Sequence, residues 1–238
     1  MSLFAIGDLH LSFGEGIDKP MDVFGPSWKN YELRLKEAWL DLIRPEDTVI
    51  IPGDISWAMS LEEASADFEW IAALPGEKII FKGNHDLWWS SHKKLNSIDP
   101  TLHFIQNESY DGKDFTVIGS RGWLCPGSRD FAEGTDRKIY ERELSRLELS
   151  AADAEKKGIL GDGRPVIGAL HYPPTNEKKQ SSGFTEFFSK YSVRCVVYGH
   201  LHGDAAFMNG PSETIGGCRY YLCSLDKLQC IPKKILDI

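Results

Sequence analysis

The amino-acid sequence predicts an α/β fold in which a parallel sheet is covered by helices. Apolar runs of strand length alternate with amphipathic helical segments in the first third of the chain. This rhythm favours parallel strands, because helices then form the connections that cover the sheet. Neither a linker nor an internal repeat divides the 238 residues, so we predict a single domain over residues 1–238.

The first three strands are predicted at residues 2–6, Thr48–Ile51 and Glu77–Phe81. Between the first two, apolar residues recur at three- and four-residue steps, which predicts a helix with Ser27 as its N-cap. Before the third strand, Ser60 and Glu63 have the spacing of a capping box, which predicts the start of a second helix.

The remaining elements are read from shorter apolar runs. They are a short helix at 90–98, strands at 102–105 and 115–118, a long charged helix that ends at Gly158, strands at 166–170 and 195–198, a short helix at 184–188, and strands in the tail near 220–222 and 231–238. Two long loops, Arg121–Thr135 and Tyr172–Gly183, separate some of these elements.

Composition restricts the class of partner. The formal net charge of −8 argues against an extended nucleic acid, whose binding requires clustered Lys and Arg. A small phosphorylated substrate stays compatible with this charge, because bound metal ions can reverse the sign locally. No apolar run approaches the roughly 20 residues that span a membrane, so we expect no membrane association.

The five cysteines indicate a compartment. Their number is odd and their spacing is not that of a metal finger, which predicts reduced thiols in the core. Residues 2–8 already form the first strand and its turn, so we expect no signal peptide. A cytoplasmic location follows as an expectation.

Polar side chains follow five of the predicted strands at the point where each strand ends. They are Asp8 and His10, Asp54, Asn84 with His85 and Asp86, His171, and His200 with His202. In open α/β sheets, ligands collect beyond the carboxyl ends of the strands. The Asp-x-His and His-x-His spacings project both side chains to one face. Imidazole with carboxylate suits zinc, iron or manganese, and the absence of thiolate argues against a structural zinc site.

Each of these residues also has an ordinary structural interpretation. Asp8 and Asp54 are compatible with turn or cap aspartates, and His171 with a hydrogen-bonded loop histidine. The segment 83–86 is compatible with a polar turn. Their conjunction, each behind an apolar strand, favours a metal site. Seven ligands are too many for one tetrahedral ion, whereas two ions that share a carboxylate would use all of them.

In this order, Gly-Asp-x-His, Gly-Asp, Gly-Asn-His-Asp, a lone His and Gly-His-x-His resemble the motifs of the calcineurin-like metallophosphoesterase superfamily. The resemblance runs from Gly7 to His202. It implies a four-layer α/β/β/α sandwich with a centre of two divalent or trivalent metal ions, manganese being favoured over iron or zinc.

The resemblance also implies a role for each residue. Asp8, His10 and His202 would hold one ion, Asn84, His171 and His200 the other, and Asp54 would bridge them. His85 would face the substrate as a catalytic residue. Asp86 is assigned with His85, either as a supporting partner in catalysis or as a cap of the following turn.

The implied activity is a metal-dependent phosphohydrolase with a metal-bridging hydroxide as nucleophile. We favour a phosphodiesterase on a small, nucleotide-like substrate over a phosphomonoesterase or an interaction scaffold. The protein phosphatases of the superfamily carry an Asp-Arg pair after the second Gly-Asp, where this chain has Ile55 and Ser56. The absence of this pair argues against a protein phosphatase. An enzyme that acts on a lipid-linked pyrophosphate would need an exposed apolar or basic helix. The helix at 136–157 is charged, which argues against this activity.

Substrate selection is expected from side chains near the motifs. The aromatic residues there either stack on a nucleobase or belong to the core; they are Trp57, Trp88, Trp89, Trp123 and Tyr172. Arg121, Arg129 and Arg137 either hold a second phosphate or are solvated. The sequence leaves both pairs of alternatives open, as it does the oligomeric state.

Overall fold

Two β-sheets stack face to face in the computed structural model, which describes residues 1–237. The strands are β1 (Ser2–Ala5), β2 (Thr48–Ile51), β3 (Glu77–Ile80), β4 (Leu102–Phe104), β5 (Tyr110–Asp111), β6 (Thr116–Gly119), β7 (Val166–Ala169), β8 (Cys195–Tyr198), β9 (Thr214–Ile215), β10 (Cys218–Leu222) and β11 (Lys233–Asp237). The helices are α1 (Tyr31–Leu42), α2 (Ser65–Ala72), α3 (His92–Leu95), α4 (Asp136–Lys156), α5 (Gly183–Lys190) and α6 (Asp204–Phe207), with 3₁₀ helices at Met21–Phe24 and Pro26–Trp28. Ile238, the end of the predicted tail strand, lies outside the described residues.

The strands of each sheet are mostly parallel. The first sheet has the order β11-β1-β2-β3-β4, and only β11 runs antiparallel to its neighbour. The second has the order β5-β6-β7-β8-β10-β9, with antiparallel strands at its two edges. Parallel strands therefore form the centre of both sheets, as predicted.

Alternate residues of each strand face different layers. Val49 and Ile51 pack in the same cluster as Trp39 of α1 and Phe68 of α2, whereas Ile50 joins the cluster between the sheets. In the second sheet, a similar outer cluster contains side chains of α4 and α5. Helices thus cover both outer faces, which confirms the four-layer α/β/β/α sandwich.

The predicted helix starts need correction. Ser27 does not cap α1, because Pro26 opens a separate 3₁₀ turn and Lys29 is extended; the N-cap is Asn30, with a φ of 49°. Ser60 and Glu63 do exchange capping-box hydrogen bonds, but these close a turn ahead of α2.

The two sheets are joined at the edge where the parallel strands end. The backbone N–H of Gly7 donates to the Cys223 carbonyl at 2.8 Å, and the N–H of Leu225 donates to the Gly7 carbonyl at 3.0 Å. A Cβ on Gly7 would lie 2.8 Å from Cγ of Pro52, so only glycine fits this close approach. The loops after β1, β2 and β10 are thereby held together.

Two further expectations concern membranes and thiols. No helix within residues 1–237 is long and apolar enough to cross a bilayer. All five cysteines are free and buried, as the core-thiol interpretation predicted.

Candidate metal centre

The structure brings the candidate ligands together in two groups at this edge. Asp8, His10 and His202 each offer a ligand atom, and these atoms lie within 4.8 Å of one another. Asp54, His171 and His200 form a second group by the same criterion. Four of the five strand ends that carry candidate ligands thus converge from both sheets.

Asn84 completes the second group. Its Oδ1 lies 2.7 Å from Nε2 of His171 and 2.9 Å from Nδ1 of His200. The two imidazole nitrogens lie 3.2 Å apart. One amide oxygen and two ring nitrogens are therefore directed at a common point.

Asp54 lies between the two groups. Its Oδ2 is 3.4 Å from Nε2 of His171 in one group and 3.9 Å from Nε2 of His10 in the other. Its Oδ1 accepts a hydrogen bond from the backbone N–H of His85 at 2.8 Å. One oxygen is thus fixed by the backbone, and the other faces both groups.

The backbone reaches the centre through left-handed residues. Asp8, His10, Asp54 and His200 have φ values of 57°, 46°, 52° and 73°. Residues other than glycine rarely adopt this region, although Asp and His are enriched among those that do. Such conformations cost of order 1–3 kcal/mol each and cluster at functional sites. The turns therefore place the ligands at an energetic cost that the fold must offset.

Hydrogen bonds fix the orientation of two imidazoles. Nδ1 of His171 donates to the Pro52 carbonyl at 3.0 Å, and Nδ1 of His202 donates to Oδ1 of Asp226 at 3.1 Å. Such bonds leave Nε2 of each ring with a lone pair directed at the centre, as in metal-binding histidines. Nε2 of His202 faces Nε2 of His10 at 3.3 Å, a contact of two nitrogens that a shared cation would satisfy.

The pKa values in the centre fit the same arrangement except at His202, where burial is outweighed by the hydrogen bond to Asp226 and the charges of Asp8 and Asp226, so that its pKa is raised. Burial lowers the pKa of His10 and His171 well below the usual value and that of His200 to about 4, so these rings are neutral and their lone pairs are free. Burial raises the pKa of Asp8 to about 6 and that of Asp54 well above its usual value. Two buried acids beside neutral imidazoles suit bound cations, which would stabilise the carboxylates.

Comparison with known proteins decides the family. Residues 1–204 match the family described as calcineurin-like phosphoesterase. The chain belongs to this family. It is accordingly a metal-dependent phosphoester hydrolase. Calcineurin-like phosphoesterases use two metal ions, and the structure contains two candidate metal-binding groups.

Solved structures share the fold of this calcineurin-like phosphoesterase. The phosphopantetheinyl hydrolase of Mycobacterium tuberculosis aligns with a TM-score of 0.58 at 16% identity, over 100% of this chain and 96% of that one. A protein of unknown function from Aquifex aeolicus aligns with a TM-score of 0.51 at 16% identity, over 98% of this chain and 95% of that one. A Thermus thermophilus protein aligns with a TM-score of 0.51 at 12% identity, over 85% of this chain and 82% of that one. No curated protein matches the chain significantly in sequence.

Asp86 connects two of the ligand loops. Its buried carboxylate accepts hydrogen bonds from the backbone N–H groups of Gly83 at 2.7 Å, Asp54 at 2.9 Å and Ile55 at 2.8 Å. Among the described residues, no hydrogen bond joins this carboxylate to the His85 imidazole. Asp86 therefore holds the Asp54 loop against the Gly83–Asn84 loop.

Replacement of Asp86 by asparagine should destabilise the protein and reduce its metal content. The amide can accept with one oxygen only, so its NH₂ group would face backbone N–H groups in a buried position. Hydrogen bonds to charged groups contribute about 1.5–3 kcal/mol each, so we expect a loss of about 3 kcal/mol or more. Urea unfolding measures this loss, with exposed Asp130→Asn as the control. An unchanged free energy of unfolding would contradict the role given to Asp86.

His85 lies in a cleft beside the metal centre. The cleft has a volume of about 400 Å³, and the other residues that line it are His10, Met21, Phe24, Trp28, Asp54, Trp57, His200, His202, Gly203 and Asp226. The His85 ring lies 4.5 Å from Trp57 and 5.7 Å from His10, between centroids. Burial and the charge of His202 lower the pKa of His85, which favours its neutral form.

The aromatic residues near the motifs divide between the cleft and the core. Trp57 lines the cleft and stacks on His10 at 4.9 Å and 25°. Tyr172 is buried and does not line the cleft, although its ring lies 4.1 Å from that of His200. Trp88 packs on Phe68 in the core. Trp28, the last residue of the 3₁₀ helix Pro26–Trp28, also lies beside the centre, with its ring 5.5 Å from the His202 ring.

Asp226 is the residue of the centre that the sequence prediction missed. Its carboxylate accepts from Nδ1 of His202 and, at 3.0 Å, from the backbone N–H of Gly203. It follows β10 by four residues, so the strand-end pattern could have found it. However, no glycine or histidine accompanies it there, as one does in the other motifs.

Replacement of Asp226 by asparagine should weaken metal binding without unfolding the protein. Partners that orient a metal-binding histidine typically contribute 10–100-fold to affinity, and we expect a loss of about this size. Competition with a chelating dye measures the affinity, with exposed Asp204→Asn as the control. Equal affinities of the two variants would show that His202 is oriented without Asp226.

Proposed function

We propose that this enzyme hydrolyses a small phosphodiester. The metal ligands in this proposal are Asp8, His10 and His202 for one ion, Asn84, His171 and His200 for the other, and Asp54 as the bridge. The observation that carries the proposal is the charge of the cleft beside these residues.

The cleft offers little positive charge besides the metal centre. No Lys or Arg is among its lining residues within the described part of the chain. Nζ of Lys19 lies 5.8 Å from the centre of the Trp57 ring, and Lys19 lines a neighbouring pocket instead. A phosphomonoester dianion would need a further cation, whereas a diester carries a single charge. This favours the diester over the alternative, a phosphomonoester.

The walls of the cleft are suited to an organic substituent. Met21, Phe24, Trp28 and Trp57 provide apolar and aromatic surface next to His10 and His202. Aromatic faces bind nucleobases and other flat groups by stacking. We therefore propose a nucleotide-like substrate in which Trp57 contacts the substituent.

Two metal ions held by these residues would supply the nucleophilic water and neutralise charge on the phosphoryl oxygens. The chain orients the rest of the reaction. Oδ2 of Asp54 faces both ligand groups and would bridge the two ions. Oδ1 of Asp54 accepts from the backbone N–H of His85 and so positions this residue. The neutral form of the His85 ring is favoured, so the ring must first take up a proton, which it then donates to the leaving oxygen from the cleft side.

The donor set is compatible with manganese as the metal. Four imidazoles, two carboxylates and one amide oxygen form a mixed nitrogen and oxygen environment with no thiolate. Such sites take manganese, iron or zinc: the three oxygen donors suit manganese, and the four imidazoles suit iron and zinc. We propose manganese first, with iron and zinc as alternatives.

The same features suggest where the enzyme acts and on what. A net charge of −8 fits a small phosphorylated substrate better than an extended nucleic acid. Five free, buried cysteines suit the reducing cytoplasm. We propose a cytoplasmic enzyme that needs no membrane partner.

Hydrolysis of bis-p-nitrophenyl phosphate beside p-nitrophenyl phosphate tests the proposal. The enzyme is stripped of metal, and each substrate is then assayed with manganese, iron or zinc added. We expect manganese to restore turnover, with the higher kcat/KM on the diester. A higher kcat/KM on the monoester would replace the proposal with its alternative.

A further inference from the structure

A second pocket in this chain concentrates positive charge. Lys82, Arg121, Arg142 and Arg146 line a cavity of about 200 Å³ together with the buried Glu143. We call these four basic residues and their cavity the cationic pocket. Four cations around one carboxylate are unexpected in a chain whose net charge is −8.

The cationic pocket lies at the functional edge of the sandwich but is distinct from the cleft. Lys82 follows β3, directly ahead of the Gly83–Asn84 loop, and Arg121 follows β6. Arg142 and Arg146 project from α4. The pocket and the cleft share no lining residue, so a ligand of the pocket would not displace one in the cleft.

The positive charges in the pocket are incompletely paired. Oε1 of Glu143 lies 3.4 Å from Nη2 of Arg121 and 3.6 Å from Nε of Arg146, so one carboxylate serves two guanidinium groups. Within residues 1–237, neither Lys82 nor Arg142 has a carboxylate within 4.0 Å. Three positive charges are therefore left without a counter-charge.

Unpaired buried atoms point in the same direction. Nε of Arg121 and Oε2 of Glu143 are buried and have no hydrogen-bond partner among the described residues. Buried polar groups are nearly always hydrogen-bonded, so such exceptions indicate a group that is still to be supplied. A tetrahedral oxyanion can accept from Arg121 and, when it carries a proton, donate to Glu143.

We propose that the cationic pocket binds a phosphate group. Guanidinium groups bind phosphate through paired, charge-assisted hydrogen bonds, and a lysine adds a point charge. Of the arginines considered from the sequence, Arg121 alone lines this pocket. Arg137 pairs instead with Glu133 at 2.9 Å on the surface, and Arg129 is exposed.

Calorimetric titration of the metal-loaded enzyme with inorganic phosphate tests this proposal. The wild type is compared with an Arg142→Gln/Arg146→Gln double variant, in which glutamine preserves helix propensity. The control is a Lys138→Gln/Lys156→Gln double variant, which removes two exposed charges from the same helix. We expect the arginine variant to lose one phosphate site or to bind there about ten-fold more weakly or worse.

The comparison remains informative if the enzyme proves not to be a phosphodiesterase, because it counts bound phosphate and does not use turnover. Equal binding by the wild type and the arginine variant, or an equal loss in the lysine control, would overturn the proposal. Methylphosphonate, which has no ester to hydrolyse, distinguishes the source of the phosphate. Tighter binding than inorganic phosphate indicates a phosphate carried on a larger molecule, and weaker binding indicates the free anion.

Discussion

Replacement of Asp54 by asparagine is expected to reduce turnover to background and to lower the metal content. Oδ2 of Asp54 faces both ligand groups, at 3.4 Å from His171 and 3.9 Å from His10, so its loss affects both ions. Loss of a residue that only orients a ligand typically lowers metal affinity about 10–100-fold, and we expect a larger decrease here. Elemental analysis and a turnover assay measure the two effects, with exposed Asp41→Asn as the control.

The same variant should be the more stable protein once metal is removed. Burial raises the pKa of Asp54 above its usual value of 3.8, so the folded state holds a proton that the unfolded state releases. The contribution of Asp54 to the stability of the wild type therefore falls as the pH rises above 3.8, up to the pKa of the folded state. Asparagine removes this dependence. Urea unfolding of the stripped proteins should show the difference growing with pH, and a less stable variant at about pH 8 would contradict the burial argument.

Replacement of His85 by alanine is expected to remove most of the turnover and none of the metal. The backbone N–H of His85, which binds Asp54, is retained in the variant, so the centre should stay assembled. General acid–base groups contribute about 10²–10⁴-fold, and we expect a loss within this range. Turnover and metal content are measured on the same preparation, with exposed His92→Ala as the control.

The leaving group separates the proposed role of His85 from a general effect on substrate binding. Proton donation matters for an alkoxide and little for a stable phenolate. The loss should therefore be larger for an alkyl phosphodiester than for bis-p-nitrophenyl phosphate. Loss of metal from His85→Ala would instead make His85 a ligand and contradict its assignment.

The candidate ligands could be predicted from sequence because each is attached to a local pattern. An apolar strand ends, a glycine or a short turn follows, and the polar residue comes next, as at Asp8, Asp54 and Asn84. Since parallel strands end at one edge, their convergence follows from the fold class. The tertiary structure adds the distances and the tautomers.

Contacts between residues far apart in the chain could not be predicted from the sequence, even where the residue itself lies at a strand end. Asp86 accepts from the backbone of Asp54, 32 residues away, and Asp226 reaches His202 across 24 residues. Neither contact leaves a periodic signal. Strand pairing also could not be predicted, because a buried apolar strand has the same sequence pattern in either sheet. The family resemblance, and not the periodicity, therefore implied two sheets.

The shortest elements and the start of α1 were not predicted correctly, in each case for a local reason. The strands β5 and β9 have two residues each and α6 has four, too few for a period of 2 or 3.6 to appear. The start of α1 was misplaced because Ser27 has a capping residue type, while Pro26 directs the backbone into a 3₁₀ turn. The conformation that Pro26 imposes therefore decided where α1 begins, and the residue type of Ser27 did not.

The measurement that tests the dinuclear centre most directly is a manganese titration of the metal-stripped enzyme. Calorimetry counts the bound ions, and turnover is measured on the same samples. The account predicts two ions per chain and turnover that develops only as the second site fills. Asp54→Asn should bind fewer ions under the same conditions. Full turnover with one ion per chain, or turnover that survives complete removal of metal, would contradict it.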